Sequence, residues 1–317
     1  MTQKSQEQKR QNMPLISVVI PVYNGEKTIA ETIESVLNQS FSDFELIVIN
    51  DGSQDSTLDI LASIQDPRIK IFSYPNAGLS ASRNRGISQA SGEFIAFLDA
   101  DDLWTPDKLE AQLTALQENP NAAVAYSWTD FIDETGQFLA DGSHRTANGD
   151  VYADLLLFNV LQNGSNPLIR MQALINIGNF DESLLASEDW DMYLRLAARY
   201  HFICVSFPQI LYRLSTNSMS SNASRVEAAS LRVLERAYKQ APKSQQVLKK
   251  QSFAYLYKYL IFKCLQGSPR PQRSWEAIKI LGNYIRKEPS LYRLRFKLSL
   301  FKAVALTLLY PQQTLIK

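Results

Sequence analysis

Three carboxylates follow an apolar run in Phe97-Leu98-Asp99-Ala100-Asp101-Asp102. The apolar run reads as a buried strand, so the acids stand at a strand end, where a sheet can hold a metal and a diphosphate. Divalent cations of the Mg²⁺ or Mn²⁺ kind prefer hard oxygen ligands, often take one or two from the protein, and fill the rest with water and phosphate oxygens. An isolated Asp-x-Asp serves equally well to cap a helix, here one starting near Pro106. A further acid, Asp189, precedes a segment in which Trp190, Tyr193, Leu194 and Ala197 share one apolar helical side. At a helix start its carboxylate could face a pocket and accept a proton, or act only as an N-terminal cap. Glu188 reads as a supporting residue. Asp191 points away from Asp189 on a helix, as a solvated or ion-paired side chain.

The elements that must position these residues are short β-branched apolar runs alternating with helical periodicity from residue 14 to residue 128. That alternation argues for parallel βαβ units covered on both faces, hence an α/β fold. Strands are expected at Ile16 to Pro21, Phe44 to Ile49, Ile69 to Tyr74, Phe94 to Leu98 and Ala123 to Trp128. Helices are expected at Glu26 to Asn38, after a cap at Asp55 or Ser56, at Leu79 to Ala90 and at Pro106 to Glu118. Ligands in such sheets bind beyond the carboxyl ends of the strands. Four of these ends carry polar residues suited to the crevice: Tyr23-Asn24-Gly25, Asn50-Asp51-Gly52-Ser53, Asn76-Ala77-Gly78 and Asp99-Ala100-Asp101-Asp102.

Composition sets the outer bounds. The 317 residues suggest one sizeable domain plus an appended part, and 45% hydrophobic residues supply a core. The charge of +1, from 33 basic and 32 acidic side chains, gives no global argument for nucleic-acid binding. Cys204 and Cys264 lie far apart without metal-type spacing and read as buried free thiols in a reducing, cytoplasmic setting. Residues 1 to 13 are a polar tail, and the apolar run Leu15 to Ile20 is too short for a signal-peptide core. His144 and His201 have no metal-like partner in sequence, and His201 beside Phe202 and Ile203 reads as a strand or loop residue.

Taken together, several segments resemble glycosyltransferase family 2 in order and spacing. They are Ser17-Val18-Val19-Ile20-Pro21-Val22-Tyr23-Asn24, Asn50-Asp51-Gly52-Ser53-Gln54-Asp55, Asn76-Ala77-Gly78 with Ser82-Arg83-Asn84-Arg85-Gly86, and Asp99-Ala100-Asp101-Asp102. Gly178-Asn179-Phe180-Asp181-Glu182 with Ser187-Glu188-Asp189-Trp190-Asp191 looks like the acceptor-side segment of that family, so the resemblance covers about residues 14 to 220. It implies a GT-A fold, that is, a Rossmann-like, mostly parallel sheet with flanking helices. It also implies a nucleotide-diphosphate sugar donor, a divalent metal (Mn²⁺ or Mg²⁺) and inversion at the anomeric carbon. By that resemblance Pro21 and Tyr23 line the base and Asp51 reaches a ring nitrogen, while Asp99 contacts the ribose and Asp101 ligates the metal. Asp189 becomes the base that takes the acceptor proton. The chemistry of the residue types agrees: Tyr23 has a ring face to stack, and Asp51 can accept from an imide N–H. Asn50-Asp51-Gly52-Ser53 also reads as an ordinary turn. Arg83 could meet the base or the diphosphate, with a solvated helix face as the plain alternative for both Arg83 and Arg85.

Two departures from the family pattern matter. Where many members carry a histidine after a Tyr-Arg pair, Tyr212-Arg213-Leu214-Ser215 has serine, so water is expected to complete the metal shell. The Gln-x-x-Arg-Trp signature of processive synthases is absent, so transfer of a single sugar is expected. Residues 129 to 165 read as loops around a short helix near Val151 to Phe158, the acceptor-specific region. The catalytic domain is therefore placed at residues 14–222 and a helical appendage at 223–317, interrupted at Gly267 to Pro271 and at Pro289. Its last segment, Leu291 to Tyr310, carries Lys297, Ser299 and Lys302, which argue against a membrane span. Packing on the preceding helices is weighed above peripheral contact with the inner face of the plasma membrane.

The implied function is metal-dependent, inverting transfer from a UDP-sugar to a hydroxyl of a glycan or glycolipid, in polysaccharide or cell-envelope glycan synthesis. A dehydrogenase is excluded because no two glycines stand two apart. A sugar-phosphate nucleotidyltransferase would want a Gly-rich basic loop where Val22-Tyr23-Asn24-Gly25 stands. The competing class is a non-catalytic nucleotide-sugar-binding or membrane-associated scaffold protein, against which stands the joint presence of Asp99, Asp101 and Asp189.

Overall fold

The structure, a computed structural model, describes residues 13–215, 222–265, 271–289 and 294–309. The polar stretch 1–12, the interruption from Gly267 to Arg270, and Leu291 to Arg293 with Tyr310 lie outside the described residues. The chain divides into two compact units. One comprises Met1–Tyr152, Asn159–Ser183 and Asp191–Ser215, and the other Ala153–Phe158, Leu184–Trp190 and Thr216–Lys317.

In the first unit β1 (Ile16–Val22), β2 (Phe44–Asn50), β3 (Ile69–Ser73) and β4 (Phe94–Phe97) run parallel in the order β3-β2-β1-β4. Every residue of β1, β2 and β4 is buried, as β-branched strands covered by helices on both faces must be. The edge strand β3 is largely exposed. The crossovers are α1 (Ile29–Leu37), α2 (Thr57–Ser63) and α3 (Leu79–Gln89). Ile29, Ile33 and Val36 of α1 face the core at helical spacing. At the start of α2 the Asp55 carboxylate, not the Ser56 hydroxyl, accepts from the Thr57 N–H at 3.0 Å.

Beyond β4 the sheet continues β8-β6-β9-β5, with β7 on the side of β6. These strands are β5 (Leu103–Trp104), β6 (Ala122–Ile132), β7 (Phe138–Asp141), β8 (Leu168–Arg170) and β9 (His201–Arg213); α4 (Lys108–Glu118) lies between β5 and β6. Residues 129 to 165 depart from the expected loops. The strand β6 runs on to Ile132 because it pairs parallel with β9 and antiparallel with β7. Backbone pairing on both sides sustains it where its side chains turn polar. The short helix expected there is α5 (Tyr152–Leu157). Helices α6 (Met171–Ile177) and α7 (Glu188–Ala197) follow β8, and α7 buries Trp190, Tyr193, Leu194 and Ala197.

The second unit is built on α8 (Ala223–Gln240), α9 (Lys249–Leu265), α10 (Pro271–Lys287) and α11 (Leu294–Leu309). Its core stacks Tyr257 on Tyr284 at 4.9 Å and buries Val233, Leu234, Leu260, Ile261, Leu281 and Leu300. Glu227, buried within α8, accepts from Tyr257 Oη and Asn283 Nδ2, both at 2.9 Å. No helix among the described residues is long and apolar enough to cross a membrane.

Candidate active site

Strand order reverses between β1 and β4, since β2 and β3 extend the sheet on one side of β1 and β4 starts the other. Beyond the carboxyl ends of two such strands a crevice opens, and an open α/β sheet binds its ligands there. Tyr23-Asn24 leaves β1 and Asp99-Ala100-Asp101-Asp102 leaves β4 at this place. Pro21 is buried in β1 opposite Ile49, while the Tyr23 ring is half exposed. The turn after β1 is tied to the turn after β2. Asn24, at φ +52°, donates its N–H to Ser53 Oγ at 2.9 Å and accepts from the Gln54 N–H at 2.8 Å.

Asp51 closes β2 as a buried carboxylate with several donors. Oδ1 accepts from the Ala77 N–H at 3.0 Å and Arg85 Nη1 at 2.9 Å; Oδ2 accepts from the Gly78 N–H at 2.8 Å. Gly78 has φ +91°, a conformation open to glycine, and this turns the two amides onto the carboxylate just before α3. A carboxylate at a helix start is also favoured by the helix dipole. Arg85 thus belongs to Asp51 and is not a solvated helix face, and its guanidinium lies 4.7 Å from the Tyr74 ring centroid.

Arg83, nearly fully buried, reaches the other side of the crevice, where Nη2 meets Asp99 Oδ1 at 2.6 Å. Its guanidinium stands 5.2 Å from the Phe180 ring centroid and against Gly164, where an added Cβ would come within 2.3 Å of Nη2. Between the two arginines, Asn84 exchanges hydrogen bonds with the Phe180 backbone, at 2.9 and 3.0 Å, and donates to Glu182 at 2.8 Å. The motif on α3 is thereby joined to the Gly178–Glu182 segment.

The acidic turn is held from several directions. Thr28 and Thr32 donate their hydroxyls to the Ala100 carbonyl at 2.7 and 3.0 Å, and Thr32 also reaches the Asp102 carbonyl. The Asp99 N–H donates to Ser165 Oγ at 3.0 Å, and that hydroxyl donates to Asp102 Oδ2 at 2.6 Å. Asp102 therefore turns into the interior, fully buried, where it also accepts from the Arg213 N–H at 3.0 Å. The Arg213 side chain bonds the Asp101 carbonyl at 2.8 Å and Glu31 at 2.7 Å. Burial, and then the charges of Asp101 and Asp99, hold the Asp102 carboxyl well above the usual aspartate range. Asp101 is pushed up to about 6 by burial first and the Asp99 charge second, with Arg213 opposing.

Burial first, and the crowding of neighbouring acids second, raise these two carboxyls, and a hard divalent cation would favour the charged form of Asp101. Asp101 and Asp99 supply oxygen donors of the right kind. They do not gather a third acid, because Asp102 is engaged inward; Ser215 is half-buried at the end of β9. Among the described residues a different grouping brings three ligand-type side chains within 4.8 Å: Asp130, Asp141 and His144. Here the expectation that His144 lacks such partners is corrected. Asp130 on β6 and Asp141 on β7 are directly paired across the hairpin, and His144 Nε2 lies 2.7 Å from Asp130 with its ring stacked on Trp128. The hairpin, unseen in the sequence pattern, creates that neighbourhood.

Asp189 is half-buried in the first turn of α7 and belongs to the second compact unit. Its helix is anchored by Trp190, whose Nε1 donates to the Leu155 carbonyl at 2.8 Å. Asp191 is ion-paired with Arg195 at 2.8 Å and buried rather than solvated. Cys264 is buried and Cys204 half-buried, both as free thiols. Residues absent from the expected site set are Ser165, Thr28, Thr32, Gly164 and Arg213. The buried polar run Asn163-Gly164-Ser165-Asn166 just before the apolar β8 was the available signal.

A family model, glycosyltransferase like family 2, matches residues 17–264. An uncharacterized glycosyltransferase of Rickettsia bellii is 35% identical over 185 residues, covering 58% of this chain and 26% of that protein. Chondroitin synthase of Escherichia coli is 32% identical over 187 residues, covering 58% of this chain and 27% of that protein. The chain thus spans about a quarter of the length of these two curated relatives. Among solved structures, Staphylococcus aureus TarS 1–349 in complex with UDP-GlcNAc aligns with a TM-score of 0.64 at 21% identity, over 86% of this chain and 80% of that one. The mannosyltransferase PcManGT of Pyrobaculum calidifontis, in complex with GDP-Man and Mn²⁺, aligns with a TM-score of 0.60 at 15% identity, over 95% and 88%. At such identities these structures establish the fold, and it is the GT-A fold expected from the motifs. By the family model, which spans most of the chain and all of the crevice just described, the chain belongs to glycosyltransferase family 2.

Proposed function

We propose that this chain is a metal-dependent, inverting glycosyltransferase that moves a single sugar from a nucleotide diphosphate sugar, a UDP-sugar, to a hydroxyl of a glycan or glycolipid. The observation that carries the reading is the convergence, at the β1–β4 switch point, of an acceptor for a base N–H, Asp51, with the Arg83–Asp99 pair and the raised Asp101 carboxyl. In it the base lies against Pro21 and the exposed Tyr23 ring, with an imide N–H directed to Asp51. Asp99, oriented by Arg83, accepts from the ribose hydroxyls.

Asp101 would hold the divalent cation, with Asp99 beside it. The cation, when bound, supplies positive charge against the charge growing on the departing diphosphate. Asp189 takes the proton of the acceptor hydroxyl while that oxygen bonds to the anomeric carbon. The bond from that carbon to the diphosphate oxygen breaks on the opposite face, and the configuration inverts. A UDP-GlcNAc complex of one structural neighbour and a GDP-Man and Mn²⁺ complex of another support a nucleotide-sugar donor and a divalent metal. Transfer of one sugar is supported by the absence of the Gln-x-x-Arg-Trp signature.

The reading is tested by thermal shift with a panel of UDP-, GDP- and dTDP-sugars, each with Mn²⁺ and with chelator. A ligand that binds the native state raises the apparent stability. Stabilisation by UDP-sugars that is lost with chelator is the expected result. No response to any donor would overturn it in favour of the non-catalytic scaffold.

A further inference from the structure

The chain's near-neutral charge conceals a division. Residues 223–317 hold 19 lysines and arginines against 4 acids, and residues 1–222 hold 14 against 28, so the helical region is net +15 and the rest net −14. The last helix alone is only moderately basic; the excess is spread over the whole region. Its four acids are already engaged within the unit. Glu227 accepts from Tyr257 and Asn283, Glu235 pairs with Lys287, Glu276 accepts from the Ser224 N–H and Glu288 stands 3.8 Å from Lys250. By sequence the region carries far more cations than it has acids of its own. Charge asymmetry of this size points to a polyanionic partner.

The outward faces of these helices combine cations with large apolar side chains. On α11, Leu294, Leu298 and Phe301 are exposed at i, i+4 and i+7, about a quarter-turn from the side that buries Leu300 and Val304, and Arg295 and Lys302 lie together along the far edge of the stripe. Phe301 is 61% exposed. On α10, Trp275 is 66% exposed and shares a face with Lys279 and Arg286. On α9, Tyr259 and Phe262 are exposed beside Lys258 and Lys263, with Lys263 Nζ 2.9 Å from Tyr259 Oη. Aliphatic and aromatic groups rimmed by lysine and arginine match the layer where lipid headgroups meet acyl chains. A second copy laid against the same faces would bring like charge to like charge, and a nucleic acid offers Leu294 and Leu298 no acyl layer to enter.

We propose that the helical region docks on an anionic membrane surface through the exposed faces of α9, α10 and α11, with their apolar side chains at the acyl boundary and their cations on the headgroups. A chain held in this way would meet acceptors carried on lipid, which deepens the transferase reading by naming where the acceptor lies. Vesicle binding is read without donor or turnover, so failure of one leaves the other to be judged separately.

The test is co-sedimentation of the full chain with vesicles of phosphatidylcholine alone and of phosphatidylcholine with phosphatidylglycerol. Two double variants accompany it, Leu298→Asp with Phe301→Asp and Arg295→Glu with Lys302→Glu. Circular dichroism and thermal melting without ligand check that each is folded. The expected result is binding to the anionic vesicles only, weakened by added salt and reduced on the order of tenfold or more in each double variant. The proposal is overturned by the absence of anionic-vesicle binding, by equal binding to neutral vesicles or by double variants that bind as wild type. Tighter binding to an RNA oligonucleotide than to the vesicles, or a dimer in solution that the same substitutions dissolve, would also overturn it.

Discussion

Arg83 Nη2 stands 2.6 Å from Asp99 Oδ1, and the two side chains differ in exposure, 1% against 24%. The cation is enclosed by the protein while the acid looks outward. Such a pair fixes the direction of the exposed partner, and Asp99 is the residue assigned to the ribose. The planar guanidinium is held between the Phe180 ring and Gly164, so charge alone does not replace it.

Arg83→Lys therefore weakens donor binding by roughly tenfold, about 1.4 kcal/mol. Gly164→Ala, which places a Cβ within 2.3 Å of Arg83 Nη2, produces the same defect without touching a charged residue. Calorimetric titration with the donor identified by thermal shift measures both. Wild-type affinity in the two variants would remove Arg83 from the donor site.

Ser165 links Asp99 to the buried Asp102, accepting from the one and donating to the other. Ser165→Ala leaves a buried carboxylate oxygen and a turn N–H without that partner, so unfolding stability falls by about 1–3 kcal/mol. Urea denaturation reads this directly. A loss below about 0.5 kcal/mol would place Ser165 among ordinary surface-like positions.

With its carboxyl pushed up to about 6 by burial and by Asp99, Asp101 is protonated below that pH and cannot ligate. Above it, the carboxylate is free to bind metal. Mn²⁺-dependent stabilisation by donor is thus expected to be level from pH 7 to 8 and, below about pH 6, to reflect an affinity falling about tenfold per unit. In Asp101→Asn the metal dependence is lost at every pH. A pH-independent metal response in the wild type would contradict the assignment of the ligand.

Away from the site, Glu45 offers a stability test. Burial raises its carboxyl, but the hydrogen bonds of Lys70, Ser17 and Ser91 outweigh this and leave it below the ordinary value of 4.5. The stabilisation is present above pH 4.5 and is lost as pH falls through the lowered folded-state value. At neutral pH Glu45→Gln costs about 1.5–3 kcal/mol, and the difference between variant and wild type shrinks in acid. A difference that stays constant from pH 7 to pH 3, in about equal measure, would refute the coupling.

The first half of the fold was legible because its strands are apolar runs buried on both faces and its helices repeat at 3.6 residues. Expected and observed elements from β1 to α4 agree within one or two residues at most ends. The later helices were also legible, but the strands β5, β7 and β9 were not, since β7 is exposed along its length, β5 is two residues long and β9 contains Pro208 among half-exposed residues. Those strands exist by pairing with distant backbone, not by their own pattern. At the site, the acidic run and the two arginines were readable as residue types. What each faces was not: the inward turn of Asp102 depends on Ser165 and Arg213, 63 and 111 residues away. The Asp130–Asp141–His144 grouping was hidden for the same reason, a hairpin inside a stretch with no strand signal.

Release of nucleotide diphosphate reports catalysis by this chain without an identified acceptor. Wild type and Asp189→Asn would be assayed on UDP-sugars with Mn²⁺ and with chelator, water standing in for the acceptor hydroxyl. The expected result is Mn²⁺-dependent release that falls roughly 10²–10⁴-fold in the variant while its donor-induced thermal shift is kept. Release that is equal in the variant, or that is absent for every donor in the wild type, would contradict it.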